Sequence, residues 1–368
     1  MNNDLQKESF DERIREPGKN GLVSVIIPTY NRSQWIVDAM NSVYSQTYRP
    51  IELLIVDDGS TDDTKDVVEQ WQQSIKDNDF SFSYFFQENK GGCVARNLGL
   101  TESQGEFIQF LDSDDVLAPS KIRDQVNFFS TCGGYSVLYG PWRFFKDTQN
   151  YIEIHDVHSR GDEENALKNW LGGWFVPPHS LLWRRSDIAQ TGPWDESLAA
   201  DQDGDFAMRF LLNGGKLVFC PTAWVYYRLH EKADSSVGAS SSRKAFESRY
   251  RVICRIEEAL TSQGLLEGFR EAFSLRYASL ARRYAIVDKK LTNQCLERSR
   301  ILAPDGKLPD IFMYPFLSRV LGLTTKQKLM RRLRSIFGIT KQSDMEQMTP
   351  VAVVATVAQV CSFDECKK

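Results

Sequence analysis

Cysteine is sparse in this sequence and never paired. The seven Cys (93, 132, 220, 254, 295, 361 and 366) are scattered, odd in number and without a Cys-x-x-Cys spacing. That excludes a disulfide framework and a cysteine-rich zinc site, and it points to a reducing compartment. No apolar run reaches the ~18 residues that a membrane span needs. The stretch from Val351 to Val360 is too short. The first twenty residues are polar and charged, without the apolar core of a secretory signal, so a cytoplasmic location is expected. No internal repeat of roughly 20–50 residues is visible. A Gly-x-Gly-x-x-Gly after the first apolar strand is missing, as is a phosphate-binding Gly-x-x-x-x-Gly-Lys-Ser/Thr, so neither a nicotinamide cofactor nor a P-loop is expected.

The chain has 368 residues, 42% of them hydrophobic, and a net charge of only −4. It can bury a core, and it is too balanced in charge to be a disordered chain or a general polyanion binder. The small sum hides an asymmetry. Residues 241–342 carry 21 Lys/Arg against nine Asp/Glu, which is +12, and the rest of the chain is −16. The acidic part needs a use for its carboxylates, and the basic part has the charge to meet something anionic.

Apolar β-branched segments alternate with helical patterns. Strands are expected at 22–27, 51–56, 82–86 and 106–111, with helices at 33–46, 62–73, 92–100 and 119–130. Ser33 is a plausible N-cap. The strand starts lie 24 to 31 residues apart, the length of a βα unit. An α/β fold with a parallel, doubly wound sheet follows, because right-handed crossovers place helices on both faces. Beyond 131 the rhythm weakens. Strands are expected at 137–139, 180–183, 216–219 and 223–228, and helices at 164–170 and 203–213. The segment from Ser241 to about Arg300 reads as nearly all helical. The expected organisation is a polar leader (1–20), an α/β domain (21–240), a basic helical C-terminal region (241–342) and a weakly ordered tail (343–368).

In an open parallel sheet, ligands sit outside the carboxyl ends of the strands. Pro28-Thr29-Tyr30-Asn31 follows the first strand. Asp57-Asp58-Gly59-Ser60 follows the second, Lys90-Gly91-Gly92 and Arg96 follow the third, and Asp112-Ser113-Asp114-Asp115 follows the fourth. Two strands thus bring five carboxylates to one edge. Clustered anions want a counter-charge, and an Asp-x-Asp offers hard oxygens to Mg²⁺ or Mn²⁺ beside nucleotide phosphates. The plainer readings are a turn at Asp58-Gly59, a helix cap at Asp62, and either a loop or a phosphate nest at Gly91-Gly92.

Four segments in this order resemble the motifs of family 2 glycosyltransferases. They are Val25-Ile-Ile-Pro-Thr-Tyr-Asn31, Leu54-Ile-Val-Asp-Asp-Gly-Ser-Thr-Asp62, Asn89-Lys-Gly-Gly-Cys-Val-Ala-Arg-Asn97 and Phe110-Leu-Asp-Ser-Asp-Asp-Val-Leu117. The resemblance covers residues 22 to 232. It implies a GT-A fold, Rossmann-like with a mostly parallel sheet flanked by helices, carrying here a C-terminal helical appendage. It also implies a nucleotide-sugar donor, by default a UDP-sugar, and Mn²⁺ or Mg²⁺. By the same resemblance Pro28, Thr29, Tyr30, Asp57 and Asp58 would hold base and ribose, with Arg96 near the nucleotide. Asp112 would grip ribose and metal and Asp114 the metal, with Ser113 between them and Asp115 sharing the metal. His230 resembles a position that completes the metal or diphosphate site.

Asp203, after Gln202, matches the family's later acidic motif and would be the general base of an inverting, single-step transfer. Asp201 and Asp205 compete for that role. Asp205 with Arg209 reads as an i,i+4 ion pair and Asp201 as a cap. Neither the Gln-x-x-Arg-Trp motif nor the membrane helices of processive relatives is present, so transfer of one sugar is expected, to a glycan or lipid-linked acceptor in polysaccharide or cell-envelope synthesis. Trp170, Trp174, Trp183 and Trp194 read as core, with one or two available to line an acceptor cleft. Residues 326–337 form a basic amphipathic pattern suited either to packing on the domain or to the anionic face of the cytoplasmic membrane. No nucleic-acid motif accompanies the charge. The competing functions are a sugar nucleotidyltransferase, which lacks its Gly-rich basic loop here, and a non-catalytic carbohydrate-binding module.

Overall fold

The computed structural model describes residues 13–147, 152–156, 160–230 and 242–304. Strands and helices alternate first: β1 (Lys19–Thr29), α1 (Ile36–Tyr44), β2 (Ile51–Asp57), α2 (Thr64–Gln72), β3 (Phe80–Phe86), α3 (Gly92–Glu102) and β4 (Gly105–Phe110). Then come β5 (Val116–Leu117), α4 (Lys121–Phe129), β6 (Ser136–Tyr139), β7 (Trp142–Asp147), β8 (Ile152–Asp156), α5 (Ala166–Leu171), β9 (Leu181–Arg184) and α6 (Arg185–Thr191). They are followed by α7 (Gln202–Leu212), β10 (Lys216–Phe219), β11 (Val225–Arg228), α8 (Arg243–Ser262), α9 (Arg270–Tyr284) and α10 (Lys289–Leu302).

A seven-stranded sheet has the order β10-β6-β9-β4-β1-β2-β3. It is parallel except at β9, which runs antiparallel to both β4 and β6. Val23, Val25, Ile26 and Ile27 of β1 are all fully buried, because helices cover both faces of a central parallel strand. Helix α1 turns Ile36, Ala39, Met40 and Val43 to that core, the i, i+3, i+4, i+7 stripe of an amphipathic helix. A four-stranded sheet, β5-β11-β7-β8, was not foreseen as such. Its members are short, and β11 pairs with β7 across more than 80 residues, a partnership no local pattern announces.

Ser33 does not cap α1. The helix starts later, Trp35 holds the N-cap position, and Ser33 instead donates its N–H (3.1 Å) and O–H (2.8 Å) to Asp62 Oδ2.

The chain divides into two compact units, residues 1–240 with 252–264, and residues 241–251 with 265–368. Within the second, Phe246 stacks on Tyr284 (4.5 Å), Tyr250 tilts against Tyr277 (6.0 Å), and Asp288 caps α10 by accepting from Leu291 N at 2.9 Å. Residues 326–337 lie outside the described residues. Among the described residues no helix is long and apolar enough to cross a membrane.

The strand order reverses between β1 and β4, since β2 and β3 lie on one side of β1 and β4 on the other. Such a reversal opens a crevice at the strands' carboxyl ends.

Candidate active site

The loops after β1, β2, β3 and β4 meet at that crevice, but their carboxylates do not share one counter-charge. Each has its own partners. Asp57 is fully buried and accepts from Ser60 N (2.7 Å) and the Tyr84 hydroxyl (2.6 Å). Asp58 is also buried. It accepts from Gln87 Nε2 (2.7 Å), Lys90 N (2.8 Å) and Gly91 N (2.8 Å). The backbone amides that could have cradled a phosphate are thus spent on Asp58. Asn31, in left-handed conformation, accepts from Thr61 N at 2.8 Å and donates to Ser60 Oγ at 2.9 Å, locking the first two loops together. Between those loops Tyr30 stands 45% exposed, while Thr29 is buried with a hydroxyl that has no hydrogen bond. Pro28, beside Val56 of β2, is part of β1 itself.

After β4 the four residues diverge. Asp112 Oδ1 accepts from Arg96 Nη2 at 2.6 Å. Arg96 also reaches Gln202 Oε1 (3.3 Å) and lies over the Trp194 ring (4.8 Å), so α3, β4 and α7 are stitched at one guanidinium. Ser113 is buried. Asp114 Oδ2 sits 2.8 Å from His230 Nε2 and 3.7 Å from Arg32 Nε. Burial alone would raise the Asp114 pKa, but the His230 hydrogen bond and the Arg32 charge outweigh it and hold the carboxyl below its usual range. Arg228 fixes this turn by donating from Nε to the Asp114 carbonyl at 2.7 Å.

Asp115 is the residue expected to share the metal with Asp114. It is buried, with Oδ1 accepting from Arg228 N (2.8 Å) and Oδ2 lying 2.9 Å from His179 Nδ1. That His179 contact is close but out of line for a hydrogen bond, since neither ring nitrogen has a hydrogen-bond partner. Burial pushes the Asp115 carboxyl up to about 6, with His179 opposing and Asp114 and Asp112 adding to the rise. These contacts tie the loop after β4 to β11 and to the segment leading into β9.

The three acidic candidates around α7 also separate. Asp205 is fully buried and committed to Arg209 Nε (2.8 Å) and Arg255 Nη1 (3.0 Å). Asp201 occupies the N-cap position in left-handed conformation, although its side chain caps no helix amide. Asp203 is partly buried, and among the described residues no other side chain hydrogen-bonds its carboxylate. Burial first, then the charges of Asp201 and Asp112, raise its pKa against the pull of Arg96. A carboxylate kept unpaired and made more basic is suited to taking a proton.

The sequence profile of glycosyl transferase family 2 matches residues 24–192. An uncharacterized glycosyltransferase of Nostoc sp. is 32% identical over 236 residues, which span 62% of this chain and 70% of that protein. The chain belongs to glycosyltransferase family 2. An uncharacterized glycosyltransferase of Rickettsia felis is 40% identical over 137 residues, 37% of this chain and 21% of that one, so the chain spans about a fifth of that relative's length. Among solved structures, S. aureus TarS in complex with UDP-GlcNAc aligns with a TM-score of 0.53 at 20% identity, covering 84% of this chain and 91% of that one. GalNAc-T7 with UDP, GalNAc and Mn²⁺ aligns with a TM-score of 0.54 at 15% identity, covering 87% and 64%. These two likenesses establish the GT-A fold.

Among the described residues, Asp114 and His230 are the side chains that would hold a divalent cation. Asp114 and His230 offer an oxygen and a nitrogen 2.8 Å apart, both side chains partly exposed (19% and 14%). Among the described residues no three His, Cys, Asp or Glu side chains converge on a point, so a donor's phosphate oxygens would supply the remaining positions. Sequence reasoning missed Arg32, Arg228 and Tyr84. Arg32 stands one residue beyond the Pro-Thr-Tyr-Asn segment and was legible as a cation at that edge. Arg228 reaches the site only through the β11–β7 pairing.

Proposed function

We propose that the protein transfers one sugar, with inversion, from a nucleoside-diphosphate sugar, UDP by default, to a hydroxyl of a glycan or lipid-linked acceptor. The observation that carries this reading is the unpaired, basic carboxylate of Asp203, set beside the Arg96–Asp112 pair at the switch-point crevice of a family 2 fold. Asp203 takes the proton of the attacking hydroxyl, whose own pKa is too high for it to attack unaided. Such a base is worth ~10²–10⁴-fold. Arg96 holds Asp112 toward the donor, and Tyr30 offers an exposed ring to the base. Asp114 and His230 would hold Mn²⁺ or Mg²⁺, which neutralises charge on the departing diphosphate. TarS, bound to UDP-GlcNAc, and GalNAc-T7, bound to UDP and Mn²⁺, support the choice of donor and metal by analogy of fold.

Calorimetric titration with UDP, with and without Mn²⁺, tests the donor half. UDP binding strengthened by Mn²⁺, with the strengthening lost in Asp114→Ala, is expected. No UDP binding at any Mn²⁺ concentration would sink the reading.

A further inference from the structure

The sheet brings a second set of side chains to the same edge as Asp203. Because β9 is antiparallel to β4, with Ile108 opposite Trp183, the segment leading into β9 lies at the carboxyl end of β4. The carboxyl end of β6 lies there too, with Tyr139 opposite Leu181. Trp170, at the end of α5, packs against the start of α7, its Nε1 3.5 Å from where a Cβ on Gly204 would stand. Gly204 is the residue after Asp203. From Trp170 the aromatic contacts run outward. Trp174 meets Trp170 edge-on (5.6 Å) and Tyr139 edge-on (5.8 Å), and Phe175 tilts over Trp142 (5.6 Å).

The outer two rings are not core. Phe175 is 42% exposed, and Trp174 is partly exposed, whereas Trp170 and Trp142 beneath them are buried. The backbone is shaped to hold them there. Gly173 has φ 102°, a conformation that side-chain-bearing residues resist, and it turns the chain just before Trp174. A Cβ at Gly161 would come within 2.6 Å of the Trp174 ring. Polar groups gather at Tyr139, the ring that Trp174 meets edge-on. Glu163 Oε1 accepts from the Tyr139 hydroxyl at 2.7 Å, and the exposed Arg160 lies 3.4 Å from the same carboxylate.

An exposed aromatic ring, with a carboxylate and a guanidinium grouped at the neighbouring Tyr139, suits a pyranose. The sugar's C–H face covers the aromatic and its hydroxyls bond those polar groups. We propose that Phe175 and Trp174 form the platform on which a sugar ring of the acceptor stacks, with Glu163 and Arg160 holding its hydroxyls. This rests on the glycosyl-transfer reading for the meaning of the site, and makes the acceptor's binding end a saccharide.

Saturation-transfer NMR with the methyl glycosides of glucose, galactose, mannose and N-acetylglucosamine tests it. At least one should receive saturation at its ring C–H protons. That transfer should fall about tenfold in Phe175→Ala, the loss expected for one aromatic contact, and persist in Phe175→Trp. Phe175 is 42% exposed and packs on Trp142, so Phe175→Ala should lower the melting temperature by only a few degrees, and Phe175→Trp should restore both packing and transfer. Undiminished transfer in Phe175→Ala, or no transfer from any of the four, overturns the platform. UDP binding in Phe175→Ala should stay at the wild-type value. If glycosides bind and UDP does not, the transferase reading fails while the platform stands.

Discussion

Exchanging Asp203 and Asp205 for Asn should move stability and activity in opposite directions, although the two residues are two positions apart on α7. Asp205 is fully buried between Arg209 and Arg255. Removing one member of a buried ion pair costs about 3–5 kcal/mol, because the remaining charge stays unpaired. The lower end applies here. Arg255 is 36% exposed and keeps Asp195 at 2.5 Å, and Arg209 keeps the carbonyls of Thr191 and Pro193. Asp205→Asn should therefore lose about 3 kcal/mol, or roughly 6–12 °C in melting temperature for a unit of this size. Asp203 behaves inversely. Burial and neighbouring carboxylates raise its folded-state pKa, so the stability tied to it is present at low pH and lost as pH rises through that raised value. Above that raised value the ionised wild type carries a cost that Asp203→Asn removes, so the variant should melt no lower than wild type. It should nonetheless lose ~10²–10⁴-fold in acceptor-driven UDP release. Differential scanning fluorimetry and a coupled UDP assay read both. A destabilised Asp203→Asn, or one that keeps transfer within about threefold, refutes the assignment.

Three further outcomes are expected. Asp187 is buried with Oδ2 lacking a hydrogen bond, and burial, opposed by Arg184, pushes its carboxyl up to about 6. Asp187→Asn should gain stability relative to wild type as pH rises from 4 to 8, by about 1–2 kcal/mol at the top. Equal effects at both ends in urea titrations would contradict this. Phe206 stacks on Trp194 (4.5 Å), the ring that carries Arg96, so Phe206→Ala should cost about 3–5 kcal/mol and also lower activity. Full activity in the folded variant would disconnect Trp194 from the site. His230→Ala should weaken Mn²⁺ at least about tenfold in titrations with UDP present, and unchanged affinity would remove His230 from the metal.

The first half of the fold was legible because each βα unit carries its own evidence. β1, β2, β3 and β4 are short β-branched or aromatic runs, and α1 and α2 show a buried stripe. The second half was less so. β7, β8 and β5 are stabilised by partners distant in sequence, and β9 reverses direction without any local mark of orientation. Within the site, the positions of the acidic residues could be read, but their partners could not. For Asp115 the family resemblance implies a share in the metal, and nothing in the sequence shows its neighbours. Only the convergence of Arg228 N and His179 from two other segments turns it inward. Asp205, by contrast, was readable as an ion pair because Arg209 is one helical turn away.

The most direct test of the account is a donor screen. Purified protein is incubated with UDP-, GDP- and dTDP-sugars in Mn²⁺, Mg²⁺ or EDTA, and nucleoside diphosphate release is followed for wild type and Asp114→Ala. Release from one UDP-sugar, abolished by EDTA and by Asp114→Ala, is the predicted result. Release that is indifferent to EDTA and to Asp114→Ala, or none from any donor together with no thermal shift by any nucleotide plus metal, would contradict a metal-assisted nucleotide-sugar site at this edge.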